Sequence, residues 1–179
     1  MKRMSVVLAA VLCVGVALTV QSAARPTGAI KVPAHLALEL KVDNKPVAVP
    51  SGREITMLAG TYTPASLTAQ ATANNKGKPE VWSIKSTGPF GQLQQIEIKE
   101  GCTSAIDAGP PFTLKAIVYK AATSPQGKVV PIGFAIVGKA GEVYAANSLR
   151  KGQSVTTPPQ FQILDEKGTV LTQGAFAYG

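Results

Sequence analysis

The residues able to do chemistry are few and scattered. His35 is the only histidine in the 179-residue chain, so a Ser-His-Asp or Cys-His nucleophilic site would have to use it. No Gly-x-Ser-x-Gly elbow is present, and no spacing ties His35 to Cys102. Zinc or copper needs several His or Cys ligands. Calcium needs clustered oxygen donors; the densest candidates, Asp43-Asn44 and Asp165-Glu166, stand where Asp and Asn ordinarily make turns. A glycosidase needs two carboxylates across one bond, and none of the ten acids is marked out as half of a pair. Glu39 and Glu97 alternate toward solvent. Phosphate-cradling and dinucleotide-binding glycine motifs are absent. The expectation is a non-enzyme with no catalytic, cofactor or metal residue; the alternative is a secreted hydrolase of unrecognised type, which the shortage of histidine and of paired carboxylates disfavours.

Two residue groups point to binding instead. Trp82, the single tryptophan, could stack on a sugar ring together with Tyr62 if both are exposed. Within Val81-Trp82-Ser83-Ile84, however, Trp82 and Ile84 share one face of a strand, which directs Trp82 to the core. Tyr62 likewise reads as a core anchor. The second group is basic: Lys76 and Lys78 in a polar loop at 74–78, and Arg150 and Lys151 in the long polar stretch 147–159. Loops on a rigid scaffold are where binding residues usually sit.

The net charge is +8, spread along the chain without a block of like charges, so no nucleic-acid arm is visible. A mild positive balance suits an envelope protein or an anionic polymer as partner.

The N-terminus carries an address. Lys2 and Arg3 precede an uncharged apolar run at 6–20, and Ser22-Ala23-Ala24 supplies small residues before Arg25-Pro26. That order reads as a cleaved secretory signal. The apolar run is shorter than the roughly 20 residues a spanning helix needs, so contact with the membrane is expected only before cleavage. Leu12 before Cys13 does not fit a lipidation site. Removing residues 1–24 takes away Lys2 and Arg3 and no acid, lowering the charge from +8 to +6. It also leaves Cys102 as the only cysteine: an intermolecular thiol, or an inert one buried in a strand. A periplasmic or secreted bacterial protein is expected.

The remaining chain reads as all-β. Short β-branched or aromatic stretches alternate with Gly, Pro, Asn and Asp punctuation, and no long segment keeps a helical apolar period. Strands are expected at 35–42, 46–49, 54–58, 61–70, 81–86, 93–99 and 102–106, then at 112–119, 129–137, 142–146, 161–164 and 169–178. Gly109-Pro110-Pro111 marks an internal boundary. The expected organisation is a signal at 1–24 followed by two small antiparallel β-sandwich units, 25–108 and 109–179, immunoglobulin-like or prealbumin-like, with one larger sandwich as the alternative.

Val42-Asp43-Asn44-Lys45-Pro46-Val47, followed by Leu58-Ala59-Gly60-Thr61-Tyr62-Thr63, resembles a hairpin and turn pattern of carboxypeptidase-regulatory-like and transthyretin-like β-sandwiches. Ala59 stands where those domains usually carry Pro. Residues 161–179 are similar to the closing hairpin of uncharacterised secreted bacterial sandwich proteins. The resemblance implies a sandwich fold and an accessory or adhesive role, with no activity attached.

Overall fold

Alternation of apolar and polar side chains sets the fold. The computed structural model describes residues 25–125 and 127–177; the signal-like segment 1–24 lies outside them, as do Gln126 in the expected 124–127 turn and the last two residues. The first strands are β1 (Thr27–Lys31), β2 (Leu36–Val42), β3 (Lys45–Val49), β4 (Glu54–Leu58), β5 (Gly60–Asn75) and β6 (Lys78–Ser86). Then come β7 (Ile96–Ile98), β8 (Thr103–Ala105), β9 (Thr113–Val118), β10 (Ala122–Ser124), β11 (Gly127–Val129) and β12 (Ile132–Val137). The chain closes with β13 (Val143–Tyr144), β14 (Arg150–Lys151), β15 (Ser154–Val155), β16 (Gln160–Leu164) and β17 (Val170–Ala175). The protein is an all-β sandwich built mainly of antiparallel sheets.

The largest sheet runs β15-β14-β6-β5-β2-β3, with β7 also paired to β5. In β2, Leu36, Leu38 and Leu40 are buried while Ala37 and Lys41 face out, the period of two expected of a half-buried strand. Tight turns set the register. Asp43 and Asn44 join β2 to β3, and Lys76 and Gly77 join β5 to β6, all at positive φ; two successive positive φ values give the turn that matches strand twist. Pro64 is tolerated inside β5 because the β2–β5 register shifts beside it, and a bulge releases Pro from the ladder. There Ser66 Oγ donates to Glu39 Oε2 at 2.6 Å.

A second sheet, β4-β1-β8, adds Ile30 to the core, and a third, β13-β12-β9, adds Ile136 and Tyr144. One apolar cluster therefore contains residues from both sides of Gly109. β14 extends the largest sheet by pairing with β6, so backbone pairing also spans that point. The β16–β17 hairpin stacks on β12 through Phe134, Phe176 and Phe161, with ring centroids 4.6 and 5.0 Å apart. Among the described residues no helix is long and apolar enough to cross a membrane.

Several local expectations are corrected. Residues 91–94 form a 3-10 turn rather than the start of a strand, because Phe90 is buried beneath it and Gln92 N–H donates to Ala140 O. The strand expected over 129–137 breaks at Val130-Pro131, since Pro131 has no donor for a ladder. The stretch 147–159 is no open loop: it folds into a 3-10 turn and strands β14 and β15.

Leu67 is fully buried in β5, opposite Leu38. Replacing Leu67 with Ala is expected to cost about 2–5 kcal/mol in chemical denaturation. Val118→Ala, at an exposed position, should cost under about 1 kcal/mol.

Candidate functional site

The β5–β6 ladder places Ala69 opposite Ile84 and Ala71 opposite Trp82. Residues opposite one another in an antiparallel pair share a face, so two small alanines stand beside an indole and leave space over the sheet. Pro110, Phe112 and Leu149 close the other side, and the resulting cleft measures about 240 Å³. Trp82 is half-buried and forms a wall of this cleft. It shares the apolar face with Ile84, as the alternation predicts, but the cover over it is incomplete, so it is not enclosed in the core.

Charge gathers at the rim. Lys151 pairs with Trp82 through the β14–β6 register, which sets its Nζ 5.7 Å from the indole centroid, within cation–π range. The same Nζ lies 2.9 Å from Glu80 Oε2. The hydrogen bond from Lys151, with a further one from Asn75, holds the Glu80 carboxyl below the usual carboxylate range. Arg150 serves the backbone: its guanidinium donates to Asn147 O at 2.7 Å and Leu149 O at 3.2 Å, fixing the segment that carries Leu149. Lys76 and Lys78 are exposed at the tip of the β5–β6 hairpin.

Phe112 is held from behind. Its ring meets Tyr144 edge-on, with centroids 5.1 Å apart. The Tyr144 hydroxyl donates to Glu142 Oε1 at 3.0 Å, and Gly109 N–H donates to the same oxygen at 2.6 Å. Glu142 is fully buried, and its Oε2 has no hydrogen-bond partner among the described residues. Gly138 lies against this carboxyl, where a side chain would collide with it. Burial, reinforced by the nearby Glu142 charge and hydrogen bond, pushes the Tyr144 phenol far above its ordinary range.

Glu142 was not singled out by the sequence, where it opens the strand expected at 142–146. One signal was available: it is the only acid between Asp107 and Asp165.

The remaining candidates lie elsewhere. Tyr62 packs half-buried against the core and donates to Leu58 O at 2.9 Å. Along β5 it is nine positions from Ala71, the partner of Trp82, or roughly 30 Å of strand, so Tyr62 and Trp82 do not form one stacking platform. His35 is exposed beside Gly109. Cys102 is an exposed free thiol, which corrects the buried reading. It precedes β8 in a turn: its N–H donates to Lys99 O, and its carbonyl accepts from Ala29 N–H; the backbone is engaged while the side chain faces out. Asp165 is occupied by its turn, accepting from Lys167 and Thr169 N–H at 2.9 and 2.8 Å.

Comparison with protein-family models, curated proteins and solved structures finds no match. Fold and geometry together define the class: an all-β sandwich with an aromatic-walled apolar cleft, braced by a buried carboxyl.

Glu142→Ala orphans the Gly109 and Tyr144 donors, and each unsatisfied buried group costs about 1–3 kcal/mol. Urea denaturation is expected to show that loss, with a smaller one for Tyr144→Phe. The Tyr144 shift also fixes a pH dependence. The unfolded phenol ionises near about pH 10 while the folded one stays protonated. Stability is therefore complete below that pH and falls as pH rises above it; Tyr144→Phe should flatten this fall.

Proposed function

We propose that this chain is exported and acts as a non-enzymatic binding module of the cell envelope, taking its partner at the Trp82–Phe112 cleft. The observation that carries the reading is the cleft itself: an apolar recess with one half-exposed indole wall and a charged rim. Binding sites combine an apolar lining with a few polar groups that orient the ligand, and here Lys151 and Glu80 supply them. Its volume is below the roughly 300–1,000 Å³ of drug-sized sites, so it suits a single ring or a short apolar side chain offered by a larger partner. The N-terminal signal-like pattern supports export, and the positive charge supports an anionic envelope component as a neighbour. The resemblance to transthyretin-like and carboxypeptidase-regulatory-like domains supports an accessory or adhesive role.

A second reading is carbohydrate binding. It is favoured by the accessible face of Trp82 with a cation and a carboxylate beside it, a combination able to stack on a sugar and bond its hydroxyls. Tyr62 plays no part in it, for reasons of distance.

Protein recovered from the native host is expected to begin at Arg25 by mass spectrometry; retention of residues 1–24 would remove the export assignment. As the sole tryptophan, Trp82 reports on the cleft directly. Acrylamide should quench its fluorescence, and a bound partner should protect it. Chito-oligosaccharides that shift the emission would select the sugar reading. An indole inaccessible to acrylamide would sink both uses of the cleft. Lys151→Glu sets two acids side by side at the rim and is expected to weaken binding while leaving the fold intact.

A further inference from the structure

β9 is the outer strand of the β13-β12-β9 sheet, and all six of its residues are exposed. Its hydrogen-bonding parity follows from one contact. Tyr119 N–H donates to Pro131 O at 2.9 Å, and ladder bonds alternate along an antiparallel pair. In the register Thr113↔Val137 to Val118↔Ile132, Thr113, Lys115 and Ile117 therefore bond to β12. Leu114, Ala116 and Val118 turn their N–H and C=O groups to the open edge. Their side chains share the face of Ile132, Phe134 and Ile136, yet Leu114 and Val118 remain 66% and 67% exposed.

Three other edges are guarded in the usual ways. β8 and β15 are three and two residues long, and β3 carries Pro46. β9 has six residues, no proline and a single charge, Lys115.

The charge around this edge has one sign. From residue 108 to residue 141 the chain holds Lys115, Lys120, Lys128 and Lys139 and no acid; Lys139 is engaged by Asp107 at 2.7 Å. We propose that the free edge of β9 docks an extended segment of another polypeptide in which apolar residues alternate with acidic ones. The added strand completes the ladder at Leu114, Ala116 and Val118. Its apolar face covers Leu114 and Val118, and its acidic face meets Lys115, with Lys120 following the strand. A second copy fits less well. Antiparallel self-pairing centred on Ala116 sets the two Lys115 side chains diagonally across the junction, about 7–8 Å apart, and both molecules are positively charged.

The test uses the chain from Arg25 onward and blocked heptapeptides alternating valine with glutamate or valine with lysine. Hydrogen exchange at the Leu114, Ala116 and Val118 amides should slow by about tenfold or more with the glutamate peptide, and not with the lysine one. Ala116→Pro removes an outward donor at no cost to the β12 ladder and should abolish the protection. Lys115→Glu, an exposed change that spares the backbone, should reverse the peptide preference. Trp82 emission should stay unchanged throughout, which separates failure at this edge from failure at the cleft. Equal protection by both peptides overturns the proposal, as does protection that survives Ala116→Pro. A dimer in sedimentation with the edge already protected overturns it in favour of self-pairing.

Discussion

Glu142 has no exposure to water, and burying a carboxyl is unfavourable unless its oxygens meet donors held in fixed geometry. Those donors come from two places in the chain. Gly109 lies thirty-three residues before Glu142, and Tyr144 lies two residues after it. Satisfying one oxygen therefore ties the connection after β8 to the loop between β12 and β13. Backbone bonds close the same joint: Lys139 N–H donates to Gly109 O, and Gly138 N–H to Glu142 O. Breaking it would release Tyr144 from its orientation, then Phe112, which rests on the Tyr144 ring, and with Phe112 the entry to β9. A single buried interaction thus sets both the wall of the cleft and the origin of the exposed strand.

The cleft needs that joint and a second condition from the opposite layer. The β5–β6 register sets Ala71 against Trp82 and Ala69 against Ile84. Larger residues at 69 and 71 would fill the gap and convert the indole wall into ordinary core. Its other side depends on Leu149, and Leu149 depends on Arg150, whose guanidinium caps the surrounding carbonyls. The cation expected to meet a partner thus acts on the backbone. Its neighbour Lys151, held over the indole by the β14 register, stands at the opening.

Local pattern made much of this fold legible. Alternation over 35–42 marked β2 and its inward leucines, and Asp43-Asn44 announced the turn after it; the polar loop expected at 74–78 instead narrows to Lys76-Gly77, because Asn74, Asn75 and Lys78 join the β5–β6 ladder. What local pattern could not convey was the identity of the covering layer. Trp82 and Ile84 share a face as the alternation requires, but only the distant Pro110, Phe112 and Leu149 decide how far the indole is covered. β14 is two residues long and exists because β6 offers it an edge, so nothing within 147–159 signals a strand. Glu142 was hidden for the same reason, since one of its two donors is remote in sequence. Cys102 came out exposed because its neighbours use the backbone for pairing and leave the thiol outside.

The same limit separates the two ends of the chain energetically. In β2 the alternate leucines are buried, and hydrophobic transfer stabilises the strand by about 1.5–3 kcal/mol per buried side chain. In β9 the equally regular Leu114, Ala116 and Val118 stay exposed at the margin of the covered face, so their alternation adds little. The β9–β12 pair is held by its ladder, and the β16–β17 hairpin by the Phe134–Phe176–Phe161 stack. Regions with few buried apolar contacts open at lower free energy than the core. A strand laid along β9 would add both missing terms, a paired edge and a covered face. The Glu142 joint fixes where that strand begins, because Gly109, which donates to its carboxyl, leads into β9.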